Sequence, residues 1–205
     1  MTTAPASSRV TPLLLRQRLT ADGAALQAFR AWTGAASGTR LPSLQDLEPL
    51  LASGHNAQFG IADLMPALGQ FRYRVLGAAL AALAGADCAG RIAGGAEDPS
   101  PAGRLDRAAF LESAFGERIV FSRRKMLRGS DAGRIFDRLV LPLRGAGRGM
   151  AAVLFAHHDG SVPPHRLAGP GDAHDRPKGH DEAIEELERV ALAWVDCAHE
   201  FHRSA

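Results

Sequence analysis

Three strand-like segments follow one another between residues 117 and 158, and short glycine-rich turns join them. The segments span residues 117–128, 134–144 and 149–158, and the turns span Gly129–Gly133 and 145–148. A parallel return would need a crossover of a dozen or more residues, whereas hairpin turns are short. The three segments therefore predict consecutive antiparallel hairpins, and this constrains the fold more than any other feature of the chain.

Two further strands are predicted earlier in the chain. Residues 59–65 form a short apolar run, and Phe71–Leu76 alternates aromatic or aliphatic residues with arginine, which is the pattern of a half-buried strand. Helical spacing of apolar residues predicts helices in residues 13–32, divided by Gly23, and in segments 78–84 and 105–115. The predicted order is helices, two strands, short helices and three strands.

The end of the chain predicts one more helix, Asp181–His202. Asp181 is a good N-cap, acidic residues follow it, and apolar residues recur every three or four positions. The predicted organisation has four parts. Residues 1–12 are a flexible tail, 13–158 a domain with N-terminal helices, 159–180 a linker rich in Pro, Gly and His, and 181–203 the C-terminal helix.

Composition narrows the class of protein. A chain of 205 residues with 46% hydrophobic and 22% charged residues is long enough for one well-buried core. The formal charge of +2 does not by itself indicate a nucleic-acid binder. The two cysteines, Cys88 and Cys197, form neither a disulfide framework nor a metal motif, and no signal peptide or membrane span is recognisable. We expect a cytoplasmic protein that does not enter the membrane.

Several sequence pieces together resemble a known family. They are Trp32, Arg40–Pro49, Phe71–Gly77, 85–91 and Phe136–Leu143. Over residues 25–158, about two-thirds of the chain, they resemble a PAS-like family common in alphaproteobacteria. The resemblance implies an α+β fold in which helices cover one face of a five-stranded antiparallel sheet and enclose a small pocket. The N-terminal helical segment and the C-terminal amphipathic helix are then additions to this domain.

The resemblance also implies a function. PAS-like domains sense small molecules or bind protein partners, and they commonly dimerise through flanking helices. We therefore expect a sensory module that binds a small molecule or a protein partner and relays a signal through its flanking helices. The alternative is a protein-interaction or localisation adapter without a ligand. No catalytic constellation is visible in the sequence, so an enzyme is not expected.

Four residues are candidates for lining the implied pocket: Tyr73, Arg74, Cys88 and Phe121. The arginines on either side of Tyr73 could bind a carboxylate or phosphate in the pocket. Alternatively, they could form a structural bridge with Asp46 or Asp63, and we favour the bridge.

The sequence does not identify a cofactor. Flavin-binding relatives that form a cysteine adduct carry Asn-Cys-Arg-Phe-Leu-Gln, whereas residues 87–92 read Asp-Cys-Ala-Gly-Arg-Ile, so flavin is not expected. Haem is not expected either, because helix 105–115 contains no histidine to serve as axial ligand. The histidines around the linker are irregularly spaced and predict a solvated polar loop rather than a metal site. They are His157, His158, His165, His174 and His180.

Two surfaces could meet partners. Nine basic residues lie between Arg118 and Arg148, and we favour a solvated strand face there over a surface for nucleic acid or an acidic partner. The apolar stripe of the predicted C-terminal helix could pack on the chain's own sheet or join two subunits, and we favour a homodimer. The interface candidates are Leu187, Ala191, Trp194 and Phe201.

Overall fold

A computed structural model describes residues 15, 19, 23–36, 40–52, 56–84, 88–95, 101–127, 133–145, 151–159 and 184–193. The helices are α1 (Ala24–Ala35), α2 (Glu48–Ala52), α3 (Ala78–Ala84) and α4 (Pro101–Gly116), with 3₁₀ turns at Gln45–Leu47 and Asn56–Gln58. The strands are β1 (Phe59–Met65), β2 (Gln70–Leu76), β3 (Arg118–Met126), β4 (Ile135–Arg144), β5 (Ala151–Asp159) and β6 (Ile184–Ala193).

The strands form one antiparallel sheet in the order β2-β1-β5-β4-β3-β6. The protein is therefore α+β, as the sequence predicts. The order of two strands, two helices and three strands is also confirmed from β1 to β5, and each predicted strand lies within a few residues of its observed position. The turns between β3, β4 and β5 are too short for a crossover, so these consecutive strands pair antiparallel.

The predicted C-terminal helix is wrong over the described residues. Residues 184–193 form β6, which pairs antiparallel with β3 from Arg118↔Ala193 to Met126↔Ile184. Over the described residues the sheet therefore has six strands rather than the five that the resemblance implies. Pairing satisfies the backbone groups of β3 and places acidic side chains of β6 opposite basic ones of β3, so tertiary context overrides local helix propensity. The N-terminal tail, the 160–180 part of the linker and residues 194–203 lie outside the described residues.

Helical segments cover both faces of the sheet rather than one. We call the two sides the α1 face and the α4 face. On the α1 face, α1 and the segment around Leu47 and Leu50 pack on residues such as Phe121 and Leu139. On the α4 face, α3, α4 and residues near Ala93 pack on other strand residues. Those strand residues are Ala62, Leu64, Phe71, Tyr73, Val120, Val140, Val153 and Phe155. Because successive strand residues point to opposite faces, both sides of β3, β4 and β5 are buried.

Trp32 connects α1 to strand β4. The indole is fully buried, and its Nε1 donates a hydrogen bond of 2.8 Å to the carbonyl oxygen of Pro142 in β4. A buried indole N–H needs such an acceptor, and the remaining surface of the ring packs in the apolar core. This contact fixes α1 on the sheet.

Gly60 in β1 leaves space for the ring of Phe155, its register partner in β5. A Cβ atom at position 60 would overlap that ring. The ring cannot swing aside, because its centroid lies 5.1 Å from that of Phe110 and 5.9 Å from that of Tyr73. We expect Gly60→Ala to lower the free energy of unfolding by about 1–3 kcal/mol, measured by urea denaturation.

Gly34 in α1 provides a matched control for that substitution. A Cβ atom there would meet nothing within 4 Å, and the residue is exposed within the helix. Gly34→Ala should therefore stabilise the protein by up to about 1 kcal/mol. A Gly60→Ala variant that is as stable as Gly34→Ala would contradict the close approach of Phe155.

Candidate functional site

A polar cluster lies within the apolar α4 face. Strand alternation directs Ser122 and Arg124 of β3 and Arg138 of β4 toward α4, which contributes Asp106. Arg124 is 0% exposed, Arg138 9% and Asp106 4%. Arginine and aspartate are almost never so buried unless they are paired. We call these four residues, together with Glu186, the arginine cluster.

One carboxylate serves both guanidinium groups of the arginine cluster. Asp106 Oδ1 lies 2.5 Å from Arg124 Nη1, and Asp106 Oδ2 lies 3.2 Å from Arg138 Nη2. The hydroxyl of Tyr73 also donates to Asp106 Oδ2, at 3.5 Å. Both oxygens of the only aspartate in the cluster are therefore engaged, and two positive charges share one close negative charge.

Several guanidinium N–H groups in the cluster have no acceptor. Arg124 Nε donates to Ser122 Oγ at 3.1 Å, but Arg124 Nη2 has no hydrogen-bond partner in the described part of the chain. The same is true of Arg138 Nε and Arg138 Nη1, and all three nitrogens are buried. A buried donor without an acceptor costs about 1–3 kcal/mol, and more when it is charged. Such groups usually have a partner, so these call for an explanation.

Glu186 reaches the cluster from β6 without completing it. Its Oε1 lies 3.9 Å from Arg124 Nε, within ion-pair range but beyond hydrogen-bond distance, and this buried oxygen has no hydrogen-bond partner among the described residues. Its Oε2 accepts a hydrogen bond of 3.0 Å from Arg189 Nε, and Arg189 Nη1 lies 3.3 Å from Glu112 Oε2 of α4. Charged contacts therefore connect β6 to both the cluster and α4.

The electrostatics of Arg138 reflect its position. Burial lowers the pKa of its guanidinium, the negative charge of Asp106 raises it, and the positive charge of Arg124 lowers it again. An arginine nevertheless remains protonated at neutral pH, because its ordinary pKa is so high. The two guanidinium groups therefore carry fixed positive charges in a poorly solvated place, where their attraction for an anion is strong.

The ring of Phe155 lies against the guanidinium of Arg138. Its Cζ lies 5.1 Å from the centroid of the Phe155 ring, within the range of a cation–π contact. Phe155 in turn packs against Tyr73 and Phe110. Apolar walls with a few convergent polar donors are typical of small-molecule sites. This arrangement can bind an anionic group attached to an apolar body.

The four predicted pocket residues do not converge. Tyr73 lies at the arginine cluster, and Cys88 is half-buried against the same α4-face core. Phe121 is buried on the opposite, α1 face. The side chain of Arg74 is 49% exposed, and its Nε lies 2.7 Å from Asp63 Oδ2. The favoured interpretation of Arg74 as half of a structural bridge is confirmed, which removes it from the interior. Whether Tyr73 and Cys88 contact a ligand stays a prediction.

Sequence reasoning missed the arginines that the fold buries. Arg124 lies in the run Arg123-Arg124-Lys125, which is typical of a solvated strand segment. In the structure, Arg123 pairs with Asp137 on the α1 face at 2.8 Å, and hydrogen bonding to Asp137 raises the pKa of Arg123. The basic stretch is thus divided between surface pairs and the buried cluster. One sequence signal could have identified Arg124. Val120, Ser122 and Arg124 alternate along β3 and so share one face, and the neighbouring strand β4 is mostly apolar, which indicates that this face is buried.

The interface candidates are no longer on one helical stripe. Leu187 lies at the β-bulge of β6 and is 44% exposed, while Ala191 is half-buried against the α4-face core. Trp194 and Phe201 lie outside the described residues, so the homodimer stays a prediction.

Within the described residues, no group of three or more His, Cys, Asp or Glu side chains could hold a metal ion. His165, His174 and His180 lie outside that part of the chain.

Comparison with known proteins identifies no relative: no protein-family model, no curated protein and no solved structure matches this chain. Among the described residues, every helix is too short or too polar to cross a membrane. The resemblance to PAS-like domains therefore rests on its sequence pieces.

Proposed function

We propose that this chain is a cytoplasmic sensory module that binds a small molecule without transforming it. The ligand site is the α4 face of the sheet, around Arg124 and Arg138. The signal leaves through the two segments that flank the domain, the N-terminal helical segment with α1, and β6. The class that we propose is that of a PAS-like sensory module.

One observation carries the proposal: buried guanidinium donors of the arginine cluster have no acceptor among the described residues. Three such nitrogens belong to Arg124 and Arg138. Folding alone would favour apolar residues at these positions, because replacing buried ion pairs by well-packed apolar side chains is often neutral or stabilising. Buried and incompletely satisfied arginines therefore support a binding role.

The sequence resemblance supports the same conclusion from a different direction. The order of two strands, helices and three strands is the one that suggested a PAS-like domain, and β1 to β5 with α3 and α4 follow that order. The resemblance implies a site between the helices and the sheet, which is where the arginine cluster lies. Binding rather than catalysis is proposed because both oxygens of Asp106 are held by guanidinium groups and are not available to a substrate.

Native mass spectrometry of freshly purified, untagged protein tests this function. We expect a species heavier than the 21.7 kDa chain, or than its dimer, by the mass of one small molecule per subunit. The added mass should survive gentle ionisation and disappear when the protein is denatured. Protein that stays bare both as purified and after incubation with a small-molecule cell extract would contradict a sensory function.

The packing of the α4 face favours a second candidate function. The rings of Phe71, Tyr73, Phe110 and Phe155 contact one another with centroids 5.1–6.1 Å apart, so side chains fill much of this interior. A filled interior suits a protein-interaction or localisation adapter that has no ligand. The same mass measurement distinguishes the two functions, since an adapter remains bare under both conditions.

A further inference from the structure

We propose that the arginine cluster binds one carboxylate group of a small organic acid, and that Glu186 occupies this place when the acid is absent. This inference rests on the proposed function and specifies the chemical class of its ligand. Binding then exchanges a carboxylate of the chain for a carboxylate of the ligand, and Glu186 moves away with part of β6.

The charge balance of the cluster favours a carboxylate. Arg124 and Arg138 contribute two positive charges, and Asp106 contributes one negative charge at hydrogen-bond distance. When Glu186, which lies 3.9 Å from Arg124 Nε, is displaced, one positive charge remains to be neutralised in this buried place. A carboxylate brings one negative charge, whereas a phosphate at neutral pH brings nearly two and would leave an excess. A single monoanionic group therefore restores neutrality once Glu186 is displaced, and a carboxylate is such a group.

The unused donors suit the geometry of a carboxylate. A carboxylate has two oxygens, and each can accept a charge-assisted hydrogen bond from a different guanidinium. Nη2 of Arg138 contacts Asp106, and its unused Nε and Nη1 lie on opposite sides of the guanidinium, so Arg138 can offer one N–H to a carboxylate while Arg124 offers its unused Nη2. The cation–π contact of Arg138 with Phe155 holds its guanidinium in place beside an aromatic wall. An organic acid with an apolar or aromatic body fits both features.

Glu186 has the properties of an exchangeable occupant. Its Oε1 is buried without a hydrogen bond and lies 3.9 Å from Arg124 Nε, so its loss would sacrifice an ion pair but no hydrogen bond to the cluster. A ligand oxygen that hydrogen-bonds to the unused donors would therefore make a stronger contact than Glu186 does. Displaced toward solvent, the Glu186 carboxylate regains hydration.

Binding at this place is coupled to β6. This strand is at the edge of the sheet among the described strands, and its only strand partner there is β3. The register shifts beside Arg124, so the ladder is interrupted where Glu186 enters the cluster. Local opening of a ladder is easiest where its pairing is already interrupted. Exchange of Glu186 for the ligand therefore weakens β6 pairing and gives the sensor its output.

Carboxylate binding by the full chain tests the proposal. Acetate and benzoate are the probes, acetamide and benzamide are their uncharged counterparts, and saturation-transfer NMR measures the affinity. We expect both acids to bind and neither amide. Glu186→Gln should bind benzoate about tenfold more tightly, because the internal competitor is gone. Arg138→Gln should bind it at least about tenfold more weakly.

Two further variants keep the result interpretable. Glu188→Gln alters another acid of β6, whose register partner is Arg123 on the α1 face, and should leave benzoate affinity unchanged. Arg138→Lys keeps the charge but loses the unused Nε and Nη1 donors, so it should also weaken binding. It replaces Arg138→Gln as the test if that variant does not fold. Equal benzoate affinity in wild type, Glu186→Gln and the Arg138 variants would overturn the proposal.

The outcomes also separate this inference from the proposed function. If native mass spectrometry finds a bound molecule without a carboxylate, and the acid probes do not displace it, the sensory function stands and the carboxylate site is refuted. If the protein is bare and no probe binds to any variant, both proposals fail. Amide probes that bind as tightly as the acids would refute the charge argument alone.

Discussion

Asp106→Asn should lower the free energy of unfolding by about 3–5 kcal/mol, measured by urea denaturation followed by circular dichroism. The substitution preserves the shape of the side chain but removes its charge. Arg124 and Arg138 would then lie close together in a poorly solvated place without their shared counter-ion. Breaking a buried ion pair is costly because it leaves an uncompensated buried charge.

Arg138→Met is the variant to compare with Asp106→Asn. It removes one positive charge and the two donors of Arg138 that lack acceptors, while Asp106 keeps its contact with Arg124. We expect a cost far smaller than that of Asp106→Asn, because the remaining pair is balanced and a methionine can fill the space beside Phe155. Equal losses from the two substitutions would contradict an excess of positive charge in the cluster.

Asp63→Asn measures how much a more exposed ion pair of the same sheet contributes to the free energy of unfolding. Asp63 of β1 pairs with Arg74, whose side chain is half exposed. Solvent screening limits such pairs to about 0–1 kcal/mol, so this variant should be nearly as stable as the wild type. The difference between the two aspartates isolates the effect of burial.

The strands from β1 to β5 are predictable from the sequence because local signals determine them. Glycine-rich turns separate β3, β4 and β5, and the alternation in Phe71–Leu76 marks β2. Each of these signals acts over fewer than ten residues, which is the range that periodicity can interpret. The spatial order of the strands depends on packing across the whole chain, which one sequence does not encode locally.

The final strand is not predictable in that way. The segment 184–193 is rich in Glu, Leu and Ala, which favour a helix, and its apolar residues also recur at helical spacing. Only the pairing with β3 reveals the alternative pattern, in which Val190 and Leu192 face the α1-face core. A strand that local propensity opposes is held by its tertiary contacts, and this supports the proposal that β6 is the element that responds to ligand.

The arginine cluster could be anticipated only in part. Tyr73 was identified from the alternation in β2, and it lies at the cluster. Arg124 and Arg138 could not be separated from seven other basic residues nearby, because each strand exposes or buries its side chains according to neighbours that are distant in sequence. Asp106 and Glu186 come from α4 and β6, and only the folded chain brings them to the same guanidinium.

Trp32→Ala should also lower the free energy of unfolding by about 3–5 kcal/mol, because it leaves a large cavity beneath α1 and removes the hydrogen-bond donor to Pro142. Trp32→Phe separates the two contributions. It keeps most of the apolar contact and leaves the Pro142 carbonyl without its indole donor, so a loss of about 1–3 kcal/mol is expected. Phe115→Ala, at a position 63% exposed on α4, should change stability by less than about 0.5 kcal/mol.

Because Trp32 lies on the α1 face, benzoate affinity of folded Trp32→Phe should equal that of the wild type, and a tenfold change would show that the two faces of the sheet are coupled.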